Sequence, residues 1–151
     1  MTRAARSVPP LTLALGAGGL VPFVIFSVVL YAPLPAAEIE LARGLLLTYA
    51  AVILSFLGAV HWGLALARTE AGQEPDGLAL LWGVTPSLIG WLALMFPPRL
   101  AASILIAGFV AQWLMDRARA VQLGAPAWYL RLRSGLSVGV LFCLSLALLR
   151  G

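Results

Sequence analysis

Residues 45–67 read LLLTYAAVILSFLGAVHWGLALA, an unbroken run with no Asp, Glu, Lys or Arg. Crossing about 30 Å of hydrocarbon at about 1.5 Å rise per residue takes roughly 20 apolar residues in a helix, so this run is long enough to span a bilayer. Outward from it, four more apolar stretches meet or approach the same requirement: 11–31, 77–96, 100–115 and 135–149. The last two are short, but Arg99, Arg117, Arg133 and Arg150 at their edges have stems that can reach the headgroups while the span stays in lipid. The pattern predicts an all-α, polytopic integral membrane bundle of five transmembrane helices. It is organised as a tail at 1–10 and one five-helix domain at 11–151.

The composition agrees with a lipid solvent. Of 151 residues, 62% are hydrophobic and 11% charged, with a mean hydropathy of +0.99, whereas soluble domains carry roughly 25% charged residues. So few charges, gathered in short stretches, cannot cover a water-soluble surface. The single cysteine, Cys143, excludes an internal disulfide framework and any cysteine-based metal cluster within one chain. The net charge of +4 is no sign of nucleic-acid binding. Every cation is arginine, with no lysine and no asparagine anywhere, a bias that a GC-rich genome produces. A few arginines holding loops at a lipid surface account for the rest. The expected partners are the lipid bilayer and other membrane proteins or a second copy, with no nucleic acid.

The separators read as breaks between helices. Ala32-Pro33-Leu34-Pro35 stops the first span, and Glu38, Glu40 and Arg43 lead into the second through an interfacial helical turn. Residues 68–76 form an aqueous loop, and Pro97-Pro98-Arg99 a tight break that makes the third and fourth spans antiparallel neighbours. The longest polar stretch is 116–133. In it Gly124-Ala125-Pro126 ends one helix, and the amphipathic rings of Trp128 and Tyr129 suit headgroup depth. The first span exceeds the roughly 7–15 apolar residues of a signal peptide and has no small-x-small site directly after it, so it is expected to be retained. Arg3, Arg6, Arg68, Arg117, Arg119, Arg131 and Arg133 fall on one side of the membrane and Arg43, Arg99 and Arg150 on the other. The positive side faces the cytoplasm. The expectation is a bacterial inner-membrane protein with a cytoplasmic N-terminus and an external C-terminus.

Small residues every four positions let helices approach closely in lipid. The second span carries Ala51, Ser55, Ala59, Gly63 and Ala67 at that spacing, and the fifth carries Gly135, Gly139, Cys143 and Ala147. Both stripes are expected to pack against other helices. Gly16-Ala17-Gly18-Gly19 with Pro22 predicts a weakened or bent first helix. The one histidine, His61, lies beside Trp62 late in the second span, while Gly108, Gln112, Asp116 and Arg119 share one face of the fourth. Both spans run the same way, so His61, Gln112 and Asp116 fall at comparable depths, near Trp82, Trp128, Tyr129, Arg131 and Arg133. Ionisable groups at that depth are expensive and suggest a site. The bland alternative is that Asp116 pairs with an arginine, His61 bonds a carbonyl and the tryptophans anchor the helices.

Other chemistries lack their residues. A single histidine excludes a bis-histidine haem, and one His with one Asp falls short of the three protein ligands usual in catalytic zinc sites. No P-loop, dinucleotide fingerprint or nucleophile elbow is present. No cofactor is predicted, and a quinone is the one that the pattern leaves open. Thr85-Pro86-Ser87 could open a helix at mid-membrane, as in transporters, or form an ordinary kink with hydroxyl back-bonding.

Read in order, Leu-Val-Pro-Phe (20–23), Ser-Phe-Leu-Gly-Ala-Val-His-Trp-Gly (55–63), Thr-Pro-Ser-Leu-Ile-Gly-Trp (85–91), Asp116-Arg117 and Pro-Ala-Trp-Tyr-Leu-Arg-Leu-Arg (126–133) resemble the transmembrane protein 69 family, over nearly the whole chain. That resemblance implies a small polytopic protein with a domain of unknown function, found in bacteria and mitochondria. Its signature positions here are His61, Trp62, Pro86, Ser87, Asp116, Arg117, Trp128, Tyr129, Arg131 and Arg133. The loops are too short for a soluble catalytic domain. The function expected is a non-enzymatic accessory or assembly partner of a larger membrane complex. The alternatives are a binding site for a quinone or lipid headgroup at the cytoplasmic leaflet, built from residues such as His61, Asp116, Trp128 and Arg131, and a small transporter acting as an oligomer.

Overall fold

The computed structural model of the chain describes residues 7–70, 72–74, 76–120, 122 and 125–150. Helix α1 runs over Pro10–Val29, α2 over Ala36–Glu70, α3 over Gly77–Ala93, α4 over Pro98–Met115 and α5 over Ala127–Arg150. A π-helical turn, Asp116–Ala120, continues α4. No strand occurs among the described residues, so the all-α reading holds. The tail arginines Arg3 and Arg6, and Gly124, lie outside the described residues.

The helix starts follow local chemistry. Prolines occupy the first turns of α1 and α4, where a missing N–H costs nothing and the ring preforms φ. The Asp76 carboxylate caps α3 by accepting from the Ala79 amide at 3.1 Å. That amide holds the Asp76 carboxyl below its ordinary value of 3.8 against a smaller opposing push from burial, and Arg119, its ion-pair partner, lowers it further.

Among the described residues four helices are long and apolar enough to cross a membrane, and α3 is a shorter apolar helix. Large apolar side chains face outward all round: Leu13 and Val24 on α1, Phe56 on α2, Val84 and Trp91 on α3, Leu114 on α4 and Phe142 on α5. Many of the buried side chains, by contrast, are small, among them Ala42, Ala50, Ala51, Ala65, Ala79, Ala93, Ala101, Ala102 and Ala147. A surface of large apolar groups over a core rich in small ones suits lipid as the solvent, where close backbone approach drives helix association.

The packing is a ring, α1 to α2 to α3 to α4 to α5 and back to α1, with α2 also meeting α4 across the middle. Helix α2 is the central post, with 39% of its spanning window buried against 11% for α1. Its contact with α3 is the most extensive in the molecule. Gly58 makes it possible, because a Cβ there would lie 2.7 Å from the Gly83 carbonyl oxygen and 2.9 Å from Pro86 Cγ. Further along, Gly90 seats against Ala51.

Several expectations change. Helix α2 extends well past 45–67 at its start, taking in Glu38, Glu40 and Arg43 as one continuous helix. Helix α5 begins at Ala127 and not at 135, so residues 127–133 of the polar stretch belong to the fifth helix, while 116–120 is helical, as the shared face of Gln112, Asp116 and Arg119 required. Within that stretch Arg133 is buried and its charge is met inside the bundle by Asp116. Helix α3 stops at Ala93, short of 96. Gly16–Gly19 and Pro22 lie within α1, which is helical throughout, so the weakening expected there leaves the helix unbroken. Pro86 leaves α3 continuous too, and Thr85 Oγ1 donates back to the Leu81 carbonyl at 2.9 Å. This is hydroxyl back-bonding and not an opened helix.

Candidate functional site

Asp116 ends α4 with no exposed surface, at the end of the bundle where α1 begins. One turn earlier on the same face is Gln112, also at 0% exposure, and α2 brings His61, at 1%, to the same level. The Asp116 Oδ1 accepts from His61 Nε2 at 2.9 Å and from Gln112 Nε2 at 3.0 Å. Its Oδ2 accepts from Arg133 Nε of α5 at 2.7 Å. Gln112 Nε2 also approaches the Leu57 carbonyl at 3.3 Å, and its Oε1 accepts from Trp82 Nε1 of α3 at 2.9 Å. One carboxylate and one amide thereby join α2, α3, α4 and α5 through a single connected network.

Opposite an ionised carboxylate, which only accepts, the His61 imidazole donates from Nε2. Nδ1 on the far side of the ring is buried with no hydrogen-bond partner, as is Nη2 of Arg133. Buried polar atoms without partners are uncommon, and each calls for a physical account. Tyr129, on α5, sits where it feels the charges of both Asp116 and Arg133.

The expected site residues divide. His61, Gln112, Asp116 and Arg133 come together, with Tyr129 beside them. Trp62 does not join them, because its indole N–H donates to the Leu80 carbonyl at 2.6 Å and its ring lies over Gly83. Arg117 is exposed and stacks on the Trp113 ring at 5.0 Å. Arg131 is exposed and Trp128 half-buried. Arg119 was placed on the Gln112–Asp116 face, but it forms an ion pair with Asp76 instead. The reason is the π-helical turn: its wider residue spacing rotates everything after Asp116 off the α-helical register.

The small-residue stripes divide too. On α2, Ala51 is buried, whereas Ser55 bonds back to the Ala51 carbonyl at 2.9 Å, and Ala59, Gly63 and Ala67 are exposed. A Cβ on Gly63 would meet nothing within 4 Å. On α5, Gly139 seats Leu20 of α1 at 3.1 Å from where a Cβ would be, while Gly135 again meets nothing.

Sequence reasoning missed three positions. Arg43, expected on an interfacial helical turn, is buried and donates to the Ala147 carbonyl at 3.1 Å and the Arg150 carbonyl at 3.4 Å. Arg150 in turn donates to the Leu30 carbonyl at 3.0 Å. Two arginines thus satisfy the carbonyl ends of α5 and α1, where a cation also suits the helix dipole. Ser137 was missed as well. It is buried one turn beyond Arg133 on α5, and its Oγ has no partner. The i, i+4 spacing from Arg133 was the available signal. Among the described residues no three His, Cys, Asp or Glu side chains gather to hold a metal.

Comparison with known proteins bears on the same residues. The profile of a family described as "Protein of unknown function (DUF3429)" matches residues 8–149. The chain belongs to that family. Over 149 residues it is 34% identical to Transmembrane protein 69 of Xenopus tropicalis, an alignment covering 94% of this chain and 55% of the relative. It therefore spans about half the length of that relative. The family suggested by the ordered motifs is thus shown, and the buried network of this DUF3429 member lies inside the matched region. No solved structure matches the chain.

Proposed function

We propose that this protein is a non-enzymatic accessory or assembly partner of a larger complex in the bacterial inner membrane. In this reading residues 1–10 and the network end of the bundle are cytoplasmic, the C-terminus is external, and 11–151 form one domain. The observation that carries the reading is the outward strip of Ala59, Gly63 and Ala67 on α2, three small residues at i, i+4 spacing that no helix among the described residues covers. In lipid such a strip suits the close approach of another helix.

Two further features support it. His61, Gln112 and Asp116 are sealed from solvent and engaged with one another, an arrangement that clamps helices and does not offer groups to a substrate. Taking the buried Arg43 and Arg133 out of the loop count still leaves Arg3, Arg6, Arg68, Arg117, Arg119 and Arg131 against Arg99 and Arg150. That bias favours the stated orientation.

The test is size in gently solubilised native membranes. The wild-type chain is expected to migrate in an assembly well above its own 15.9 kDa. Gly63→Leu is expected to release it to the size of the free chain with the melting temperature of the purified protein unchanged. A wild-type chain that runs free in its native membrane, or a Gly63→Leu chain that keeps the assembly, refutes the proposal.

A further inference from the structure

The quadrilateral formed by α1, α2, α4 and α5 is not filled. It holds a half-enclosed cavity of about 160 Å³ whose walls are almost wholly apolar, with Phe23, Phe56 and Phe109 presenting aromatic rings. The cavity exists because α1 supplies hydrogen where a side chain would stand. Gly19 lines it, and a Cβ there would meet nothing within 4 Å. The Gly19 backbone is held in place by the Tyr49 hydroxyl, which donates to its carbonyl at 3.1 Å. At the rim, Leu15 and Phe56 are 70% and 66% exposed on the lipid-facing surface, so the mouth opens sideways into the bilayer between α1 and α2.

Two polar side chains interrupt the apolar wall, and both come from α5: Arg133, at 6% exposure, and Ser137, at 3%. Each carries a buried polar atom without a protein partner, Nη2 and Oγ respectively. These donors stand one helical turn apart on two of the residues that line a cavity otherwise walled by hydrocarbon. Their charge state narrows the ligand. Arg133 is already neutralised by Asp116, 2.7 Å from its Nε, so the pair offers hydrogen bonds without an uncompensated positive charge. A carboxylate or phosphate would bring an unmatched negative charge into a low-dielectric space, whereas a carbonyl oxygen would not.

Size narrows it further. An apolar protein cavity of about 150 Å³ takes up one benzene, so this one holds a single six-membered ring and not a lipid body. We propose that the cavity binds the ring of a neutral, tailed cyclic carbonyl compound of the quinone class. One ring carbonyl accepts from Arg133 Nη2 and Ser137 Oγ, the ring lies among the three phenylalanines, and the tail leaves past Leu15 and Phe56 into lipid. This site is separate from the outward strip on α2 and does not depend on a partner protein.

Equilibrium binding to the purified full-length chain in detergent tests this, with a decyl-substituted benzoquinone as the probe. Decanoate, with the same tail and a charge, and decylbenzene, with a ring and no carbonyl, serve as competitors. The quinone is expected to bind, decylbenzene to compete at least about ten-fold more weakly, and decanoate not to compete. Gly19→Leu places a side chain in the cavity, removes no member of the network and is expected to abolish binding. Ser137→Ala is expected to weaken it about five-fold, the loss of one hydrogen bond. Both variants should melt at or above the wild-type temperature without ligand, which separates loss of the site from loss of the fold. Absent quinone binding, equal competition by decanoate or decylbenzene, or unchanged affinity in Gly19→Leu would each overturn the assignment.

Discussion

Asp116 receives hydrogen bonds from α2, α4 and α5 while entirely buried, so its removal strands His61 Nε2 and Arg133 Nε and leaves Gln112 Nε2 only the Leu57 carbonyl. Truncating one member of a buried ion pair costs about 3–5 kcal/mol, because the partner's charge is left uncompensated. Asp116→Ala is expected to lose stability on that scale in detergent. Glu74→Ala, at an exposed loop position, should stay within about 0.5 kcal/mol. Thermal melting of the two variants against wild type is the measurement, and equal temperatures would deny Asp116 its role as the hub. The meeting of His61, Gln112 and Asp116 was legible in the sequence, since helical spacing and span direction put them at one depth. Arg133's share was not legible in the same way. It looked like one of several loop arginines, and nothing local distinguishes it from the exposed Arg131 two residues away.

At the scale of the helix, α2 shows how a pattern can be right in kind and wrong in phase. Its small residues do mediate packing, but the face that meets α3 runs through Ala51, Gly58 and His61's neighbours and not through Ala59 and Gly63. Four-residue spacing drifts around a helix of 3.6 residues per turn, so a stripe that begins buried at Ala51 ends exposed at Ala67. Gly58→Leu is expected to destabilise the purified chain by about 1–3 kcal/mol through overpacking, towards the upper end because a backbone carbonyl stands in the way. Gly63→Leu should leave it unchanged. Chemical denaturation in mixed micelles distinguishes them, and a tolerated Gly58→Leu would contradict the α2–α3 contact. The π-helical turn after Met115 is the second lesson at this scale, since no propensity in Asp116–Ala120 marks it, and within it Arg119 pairs with Asp76 at the start of α3.

For the molecule as a whole, five alternating helices put the start of α1 and the end of α5 on opposite faces. The chain's one cysteine, Cys143, is buried, so single cysteines can be introduced against a quiet background after Cys143→Ala. A cysteine at Glu74 is expected to react with an impermeant maleimide only when the cytoplasmic face is accessible, and one at Arg99 only from the opposite face. Both positions are exposed. The reverse labelling pattern would invert the orientation proposed above without altering the fold.

Membrane residence, helix number and the shared depth of the ionisable residues were all determined by the sequence, because hydrophobic length and helical periodicity are local properties that the chain carries before it folds. Three things were decided only by tertiary structure: which arginines are buried, which glycines touch, and whether the missing side chain of Gly19 leaves a cavity or a close contact. Each depends on the rotation of one helix relative to its neighbours. That rotation is set by the summed packing of all five helices and by the register slip at the π-helical turn, and no single segment encodes it.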